Sequence, residues 1–322
     1  MCESDLTPKQ LQDRKCAAVS PFTEDFKLRV WCTTMIHPTA IISAGARLGH
    51  NVRVGPYTVV GEDAVVGDQC VIGSGVSLCR RAVLESGVTI GPNAVFVQGP
   101  DSPATAGTLV KRMTHIGANA TIYPNVTIAA RAEVRPGAVV NRSVPANAIV
   151  EGNPANIVGY VDAVHRTNAL HIGLNDGRAE AIESTAVNGV TVHSFSVIPD
   201  LRGNLTVGEF GRQIPFAPQR YFVVYGVPSR EVRGEHAHRV CHQFLICLRG
   251  SCAVVADDGE NRVEVLLDSP SRGLYLPPMT WGVQYQYSAD AMLLVFASHH
   301  YDAHDYIREY EQFLDATLGT PL

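Results

Sequence analysis

The sequence lacks the features that mark several common classes of protein. Its eight cysteines include no Cys-x-x-Cys pair, so reduced thiols are expected rather than a disulfide framework or a zinc site. No apolar run approaches the length of a membrane span, and residues 1–34 contain no apolar core of a secretory signal. The formal net charge of −5 gives no positive excess for binding nucleic acid. These absences predict a cytoplasmic protein that binds neither membranes nor nucleic acids.

What the sequence contains instead is a six-residue repeat. An apolar residue recurs at every sixth position, and glycine often follows it directly. This period predicts a three-sided coil in which one side chain per step points inward and small residues occupy the corners. The repeated positions are Ile42, Leu48, Val54, Val60, Val66, Ile72, Leu78, Leu84, Ile90 and Phe96 and, after an interruption, Ile116, Ile122, Ile128, Val134 and Val140.

Residues 36–160 resemble the left-handed parallel β-helix of the hexapeptide-repeat acyltransferases. The resemblance implies a homotrimer that binds acyl-CoA along the seam between neighbouring prisms. A Gly-Asn-Pro-Ala turn lies near the CoA in that family, although here it is also explained as the cap of the coil. The candidate CoA contacts are Gly117, Asn119, Asn153 and Pro154.

The repeat is interrupted between Phe96 and His115 by a segment rich in glycine and proline. A loop that protrudes from a rigid prism is a common place for function, and a tolerated surface insertion is the alternative. Related sugar N-acetyltransferases carry a Thr-Asn-Asp stretch here, which this chain replaces with Val97–Asp101. Asp101 and His115 are therefore the candidate groups for deprotonating an amine, although His115 is also explained as a corner residue of the prism.

From residue 190 the pattern changes to short strands separated by turns, which predicts a flattened antiparallel barrel of the jelly-roll kind. The whole chain is therefore predicted to be all-β, with one closing helix at Tyr301–Leu314. The predicted division is an N-terminal extension at 1–34, the β-helix domain at 35–160, a linker at 161–189 and the barrel at 190–322. The expected strands are Thr191–Ile198, Leu205–Phe210, Tyr221–Val227, His242–Leu248, Cys252–Ala256, Arg262–Leu267, Gly273–Leu276, Val283–Tyr287 and Met292–Ala297.

His236 and His238 form the densest cluster of reactive side chains in the chain. Alternate residues of a strand point to one face, so both imidazoles are expected on the same face. They match part of the first cupin motif, but Gln243 replaces the metal-binding glutamate and no later histidine supplies the last ligand. Catalytic metal sites usually have about three protein ligands, so no metal is predicted. A structural metal and a histidine pair without a role are the alternatives. Acid–base catalysis is favoured, since histidine takes and gives protons near neutral pH.

Residues 191–315 resemble the sugar 3,4-ketoisomerases that act on a dTDP-linked 4-keto-6-deoxyglucose. The matching segments are Asp200–Leu205, Arg233–His238, Gly273–Pro278, Trp281–Gly282 and Asp305–Arg308. This resemblance implies metal-free isomerisation through an enediol in a dimeric cupin. It assigns proton transfer to His236 and His238 and the nucleotide diphosphate to Arg202.

Further candidates lie around these motifs. A tyrosine can relay a proton and an arginine can steady an enediolate or a phosphate, which makes Tyr225 and Arg233 candidates. Barrel filling is the alternative for Tyr225, and a surface cation is the alternative for Arg233. Trp281 and Gln243 are the remaining candidate substrate contacts.

Together the two halves resemble the bifunctional enzymes that make dTDP-3-acetamido-3,6-dideoxyhexoses. The cupin would form the 3-keto sugar, a separate aminotransferase would add the amine, and the β-helix would acetylate it from acetyl-CoA. Two alternatives remain open: a ketoisomerase whose β-helix serves only as a trimerising scaffold, and a sugar-nucleotide-binding cupin without activity. A trimeric β-helix joined to a dimeric cupin predicts a hexamer.

Overall fold

A computed structural model describes residues 34–98, 107–166 and 181–319, and in it the six-residue step forms a stack of short parallel strands. Strands on one side of the prism pair at a spacing of one coil, so that Arg53 pairs with Val71 and Val54 with Ile72. Seventeen strands of two residues build the three sides. They are β1 (Met35–Ile36), β2 (Ile41–Ile42), β3 (Arg47–Leu48), β4 (Arg53–Val54), β5 (Val59–Val60), β6 (Val65–Val66), β7 (Val71–Ile72), β8 (Ser77–Leu78), β9 (Val83–Leu84), β10 (Thr89–Ile90), β11 (Val95–Phe96), β12 (Leu109–Val110), β13 (His115–Ile116), β14 (Thr121–Ile122), β15 (Thr127–Ile128), β16 (Glu133–Val134) and β17 (Val139–Val140).

The second residue of these strands faces the interior of the prism. From β4 onward it is buried in every strand, while the first residue stays exposed or half-buried. Ile42 and Leu48 are only half-buried, because no further coil of the described chain covers them. The predicted β-helix is therefore confirmed, with its core supplied by stacking of coils.

The interruption is shorter than the sequence suggested. Ile90 pairs with Ile116, 26 positions further along instead of 18, so eight residues lie outside the repeat. The repeat resumes at Val110, which is fully buried, and not at Ile116 as predicted. The sequence reading missed Val110 because an insertion of eight residues shifts the six-residue count.

Two further strands close the prism, and two six-stranded sheets form the barrel. One barrel sheet has the order β20-β29-β28-β31-β26-β33 and the other β21-β22-β30-β27-β32-β25. A largely aliphatic core lies mainly between them. The strands are β18 (Ala148–Glu151), β19 (Asn156–Tyr160), β20 (Ala163–Arg166), β21 (Ala181–Ser184), β22 (Thr191–Ser194), β23 (Val197–Asp200), β24 (Gly203–Thr206), β25 (Arg220–Tyr225), β26 (Arg233–His238), β27 (Gln243–Arg249), β28 (Cys252–Asp257), β29 (Arg262–Leu267), β30 (Arg272–Leu276), β31 (Trp281–Tyr285), β32 (Met292–Ala297) and β33 (Tyr306–Ile307).

The barrel ends differently from the prediction. The only α-helix among the described residues is α1 (Tyr310–Leu318), whereas a helix was expected at Tyr301–Leu314. Ala303–Asp305 instead form a 3₁₀ turn, and β33 then pairs with β26. The C-terminal segment therefore pairs with the strand that carries the histidine pair before it forms the helix. No helix of the described ranges is long and apolar enough to cross a bilayer.

Candidate active site in the barrel

A β-bulge shapes the strand that carries the histidine pair. In β26, Gly234 pairs with Val283 and His236 with Gly282, so Glu235 is the extra residue. Glu235 has a φ of 53° and Gly234 a φ of 85°. A Cβ at position 234 would lie 2.5 Å from the Gly282 carbonyl oxygen, so the bulge requires glycine there. The residues after the bulge then alternate regularly into the site.

His238 is held by hydrogen bonds on both ring nitrogens. Its Nδ1 lies 2.7 Å from Asp305 Oδ2, and its Nε2 lies 3.0 Å from the Gln243 side-chain nitrogen. An ionised carboxylate only accepts, so Nδ1 carries the proton and Nε2 accepts from Gln243. Asp305 also accepts from the backbone N–H of Val240 through its other oxygen, at 2.7 Å. The buried His238–Asp305 pair is therefore fixed in one tautomer.

His236 lies beside this pair but keeps one nitrogen free. Its Nδ1 is 2.9 Å from the Gly234 carbonyl oxygen, which can only accept, so Nδ1 carries the proton. Within the described part of the chain, Nε2 of His236 has no hydrogen-bond partner. The two imidazole rings meet edge to face with centroids 5.0 Å apart. His236 therefore offers an open lone pair next to a locked imidazole.

The electrostatics keep both histidines neutral at neutral pH. Burial lowers the pKa of His236 to about 4. Burial also lowers the pKa of His238, although Asp305 opposes this shift. Burial would raise the pKa of Asp305, but the hydrogen bonds from Val240 and His238 hold it below its usual value. The arrangement is a carboxylate, a neutral imidazole oriented by it, and a second neutral imidazole with a free base nitrogen.

Several residues around the pair were not found by sequence reasoning. The Tyr306 ring packs against both imidazoles, with centroids 4.9 Å from His236 and 4.3 Å from His238. The Arg308 guanidinium lies 4.5 Å from the centre of the Tyr306 ring, and its charge lowers the pKa of both histidines. The charge of Arg220 also lowers the pKa of His238. The motif Asp305–Arg308 was the signal available in the sequence, since Asp305 and Tyr306 contact the histidines and Arg308 lies over Tyr306.

The space on the barrel side of the histidines is small. A cavity of about 10 Å³ there is lined by both histidines, Gln243 and Gln284. Such a volume holds about one water molecule and no sugar ring.

The structure does not bring the remaining predicted substrate residues to the histidines. Tyr225 is 70% exposed at the end of edge strand β25. Arg233 is exposed at the start of β26. Arg202 lies in the turn between β23 and β24, where its guanidinium is 2.6 Å from Asp200. Trp281 is buried against Tyr310 and lines a different cavity from the histidine pair.

One group of the described residues has metal-binding atoms close together. Ligand atoms of His238, Cys241 and Asp305 lie within 4.8 Å of one another. His238 and Asp305 already satisfy each other, and the amide of Gln243 occupies the second ring nitrogen of His238. These contacts fit a hydrogen-bonded set, and the absence of a metal stays a prediction.

The prism carries its own candidate residues. His115 is exposed in β13, and its neighbour in register on β16 is Glu133, whose carboxylate pairs with Arg135 at 2.8 Å. Sequence reasoning missed Glu133, although a coil of three six-residue steps makes positions 115 and 133 neighbours. Among the candidate CoA contacts, Gly117 is buried and the others are exposed. They are Asn119 in a corner, and Asn153 and Pro154 in the turn between β18 and β19; Asp101 lies outside the described residues.

Comparison with known proteins identifies the barrel. Residues 188–317 match the family model described as FdtA: WxcM-like, C-terminal. A TDP-4-oxo-6-deoxy-alpha-D-glucose-3,4-oxoisomerase from Aneurinibacillus thermoaerophilus is 43% identical over 122 residues, which are 38% of this chain and 88% of that one. The chain belongs to the TDP-sugar 3,4-ketoisomerase family. The resemblance predicted from the barrel motifs is thereby confirmed.

Two further comparisons concern a solved ketoisomerase and the prism. The solved structure of QdtA, a sugar 3,4-ketoisomerase from Thermoanaerobacterium thermosaccharolyticum in complex with TDP, is 35% identical. It covers 41% of this ketoisomerase-family chain and 96% of its own, with a TM-score of 0.40. A 2,3,4,5-tetrahydropyridine-2,6-dicarboxylate N-acetyltransferase from Staphylococcus aureus (strain JH9) is 34% identical over 80 residues, which are 25% of this chain. That match spans about a third, 34%, of the acetyltransferase.

Proposed function

We propose that the barrel converts a dTDP-linked 4-keto-6-deoxyhexose into its 3-keto isomer through an enediol, without a metal ion. The observation that carries the proposal is Nε2 of His236, to which no described residue hydrogen-bonds, beside the His238–Asp305 pair. Family membership supplies the reaction class, and the two neutral imidazoles supply groups suited to it.

The reaction moves two protons and leaves the composition of the sugar unchanged. The C3 proton is acidic because it lies next to the C4 carbonyl, and Nε2 of His236 takes it. The C3–H electron pair then forms the C3=C4 bond, and the C4 oxygen becomes an enediolate. A proton is returned to C4 while the C3 hydroxyl loses its own and becomes the ketone. His238, oriented by Asp305, carries the second proton from the C3 hydroxyl to the C4 oxygen, which requires the Gln243 amide to release Nε2 of His238.

Positive charge near the histidines suits the enediolate. The guanidinium groups of Arg308 and Arg220 act on the histidines electrostatically, and Arg308 is held over the Tyr306 ring. A fixed cation near developing negative charge lowers the barrier for enediolate formation. Arg202 remains a candidate for the nucleotide diphosphate, which requires it to leave Asp200.

The isomerisation is tested with dTDP-4-keto-6-deoxyglucose in D₂O, followed by proton NMR. The proposal expects loss of the C3 proton signal and appearance of the 3-keto product, both abolished in His236→Asn. Full activity after metal analysis and chelation tests the metal-free reaction. An unchanged substrate would favour the sugar-nucleotide-binding alternative, and activity that depends on a tightly bound metal would contradict the mechanism.

We further propose that the prism acetylates the amine of a dTDP-3-amino-3,6-dideoxyhexose from acetyl-CoA. The observation that favours it is the register pair His115–Glu133 on the outer face of the coil. His115 would take the ammonium proton, and the free amine would attack the thioester carbonyl. The C–S bond then breaks, and CoA leaves as a thiol. Glu133 would stabilise the imidazolium that His115 forms.

Release of thiol in the presence of acetyl-CoA and the amino sugar tests the transfer. Thiol release is expected only when both substrates are present. If no thiol is released with a freshly prepared amino sugar, the alternative function is favoured, in which the prism serves only as a scaffold for assembly.

We propose a hexamer, with prisms grouped in threes and barrels in twos. An apolar surface on the hairpin β23–β24 fits this assembly, since Ile198, Leu201 and Leu205 are each more than half exposed. Light scattering is expected to give six times the mass of the 34.7 kDa chain. A mass of three chains would contradict the barrel dimer, and a mass of two chains would contradict the trimeric prism.

A further inference from the structure

A second cavity lies behind the histidine strand, between the prism and the barrel. Its volume is about 340 Å³, far larger than the space beside the histidines. Ala130 and Ala146 line it on the prism side, and Trp281 and Glu235 line it on the barrel side. Of its lining residues, the isomerisation proposed above involves only Arg308, and the proposed acetyl transfer involves none.

Glu235, the extra residue of the bulge in β26, lines this cavity. His236 lines the small space beside the histidines, whereas Glu235, the residue before it, lines the larger cavity. Glu235 adopts a positive φ that side chains rarely accept, and strained positions of this kind concentrate at functional sites. Burial raises the pKa of the Glu235 carboxyl, and no hydrogen bond or ion pair to it is found among the described residues. The carboxyl is therefore an acceptor open to the cavity.

Tyr160 supplies an independent sign that the cavity is a binding site. Its side chain lines the cavity and is only 5% exposed. Its ring packs edge to face against Tyr285, but its hydroxyl has no hydrogen-bond partner in the described part of the chain. Buried polar groups are rarely left unpaired, because desolvation without a partner costs free energy. A ligand hydroxyl or amine in the cavity would satisfy this group.

The charges around the cavity favour a cation over an anion. The lining holds three carboxylates, from Glu235, Glu309 and Glu311, and two cations, Lys111 and Arg308. Lys111 lies 3.7 Å from Glu311. Glu235 and Glu309 line the same cavity without a cationic partner among the described residues. An anion would therefore meet unpaired carboxylates, whereas an ammonium group would compensate them.

We infer that this cavity binds a small amine-bearing polyhydroxy molecule of the amino-sugar class. Its ammonium group pairs with Glu235, a hydroxyl bonds to Tyr160, and its apolar ring face lies on Trp281. The combination of carboxylate, phenol and aromatic wall matches the mixture of charge, hydroxyls and C–H surface that such a molecule presents.

Fluorescence of Trp281 tests the proposal on the full-length chain. The sequence has two tryptophans, so Trp31→Phe leaves Trp281 as the only one. Glucosamine is expected to give a saturable change, with N-acetylglucosamine and glucose at least tenfold weaker. Tyr160→Phe and Glu235→Gln are expected to weaken glucosamine at least fivefold, and the exposed control Tyr57→Phe to leave it unchanged. Far-UV circular dichroism checks that each variant is folded.

Three outcomes would overturn the proposal. One is the absence of a saturable change with glucosamine in the folded protein. Another is equal binding of glucose, or saturation by inorganic phosphate alone. The third comes from thermal unfolding without ligand: Tyr160→Phe is expected to melt at the same or a higher temperature, since it removes an unpaired buried hydroxyl. A clear drop would show that the hydroxyl already has a structural partner.

Discussion

The prism and the barrel bring residues together in different ways. In the prism, neighbours on one side are separated by 18 positions, as in the pair His115 and Glu133, except at the single insertion and in the last coil, where Glu133 pairs with Ile149. In the barrel, His238 forms a hydrogen bond with Asp305, 67 positions away, and no local sequence pattern predicts the strand pairing that brings them together. A repeat therefore determines the position of every residue in the prism, whereas the chemical groups of the barrel depend on how distant strands pair.

The two regions also respond differently to extra residues. The prism accommodates eight additional residues between Phe96 and Leu109, and the register resumes with Ile90 beside Ile116. The barrel contains a bulge of one residue, Glu235, which lines a different cavity from the next residue, His236. Insertions in the prism leave the neighbouring coils unchanged, while a single extra residue in a barrel strand decides which cavity a side chain enters.

The largest expected effect concerns the barrel alone. His236→Asn and His238→Asn are each expected to reduce isomerisation by about 10³-fold, because each removes a proton carrier. Both variants are expected to bind CoA and release thiol as the unmodified protein does. Proton NMR and a thiol assay on the same preparations check this, with the exposed His304→Asn as control. Parallel loss of both activities would show that the two regions do not act independently.

Asp305→Asn is expected to have the next largest effect. An amide at this position can donate to Nδ1 of His238 and so favours the wrong tautomer, which is expected to lower kcat for isomerisation by about 10²-fold. The KM for the sugar nucleotide should change little, since Asp305 touches His238 and backbone rather than solvent. A change confined to KM would contradict the positioning role. Asp302→Asn, three residues earlier and exposed, is the matched control.

These barrel effects show what the sequence could and could not predict. The repeat predicted the prism nearly residue by residue, because one inward position in six is a local rule. The motif around His236 predicted the reaction class, and the structure places Gln243, which was predicted as a substrate contact, against His238. The partner Asp305 was not predicted, because it stands in a segment that was expected to be helical but forms a 3₁₀ turn. Tertiary pairing of β33 with β26 overrode the helical pattern there.

Glu133→Gln extends the comparison to the prism. Loss of the carboxylate beside His115 is expected to lower acetyl transfer about tenfold, because the imidazolium formed on His115 is less stabilised. Isomerisation should be unchanged. Steady-state thiol release with the amino sugar measures the effect, and Glu151→Gln, an exposed acid at the end of β18, is the control. Equal rates in both variants would remove Glu133 from the transfer site.

Stability of the prism is expected to depend on the close approach of its coils. A Cβ at position 61 would lie 2.6 Å from the Cys79 carbonyl carbon, so Gly61→Ala should destabilise the chain by about 3 kcal/mol. Gly137→Ala is the matched control: its φ is 74°, but no atom lies within 4 Å of the added Cβ, and about 1 kcal/mol is expected. Urea unfolding of both variants measures the difference. Similar losses would mean that the coils move apart at little cost.

The smallest expected effect returns to the barrel and depends on pH. Burial lowers the pKa of His236 to about 4, whereas an unfolded chain has a histidine pKa of about 6.5. Between these values the unfolded state binds the extra proton, so the free energy of unfolding falls as the pH decreases from about 6.5 to 4. Below pH 4 both states are protonated and the contribution stays lost. At pH 5 the loss from this residue is about 2 kcal/mol.

A variant isolates this contribution from the other buried histidines. Urea unfolding at pH 7.5 and pH 5 is expected to show a smaller loss of stability in His236→Asn than in the unmodified protein, by about 2 kcal/mol. The prism should contribute nothing to the difference, because the substitution leaves its histidines unchanged. Equal losses in both proteins would place the proton of His236 on a solvated ring. A solvated imidazole would be a stronger base, but it would be protonated below about pH 6.5. The rate of isomerisation would then fall on the acid side near pH 6.5 instead of near pH 4.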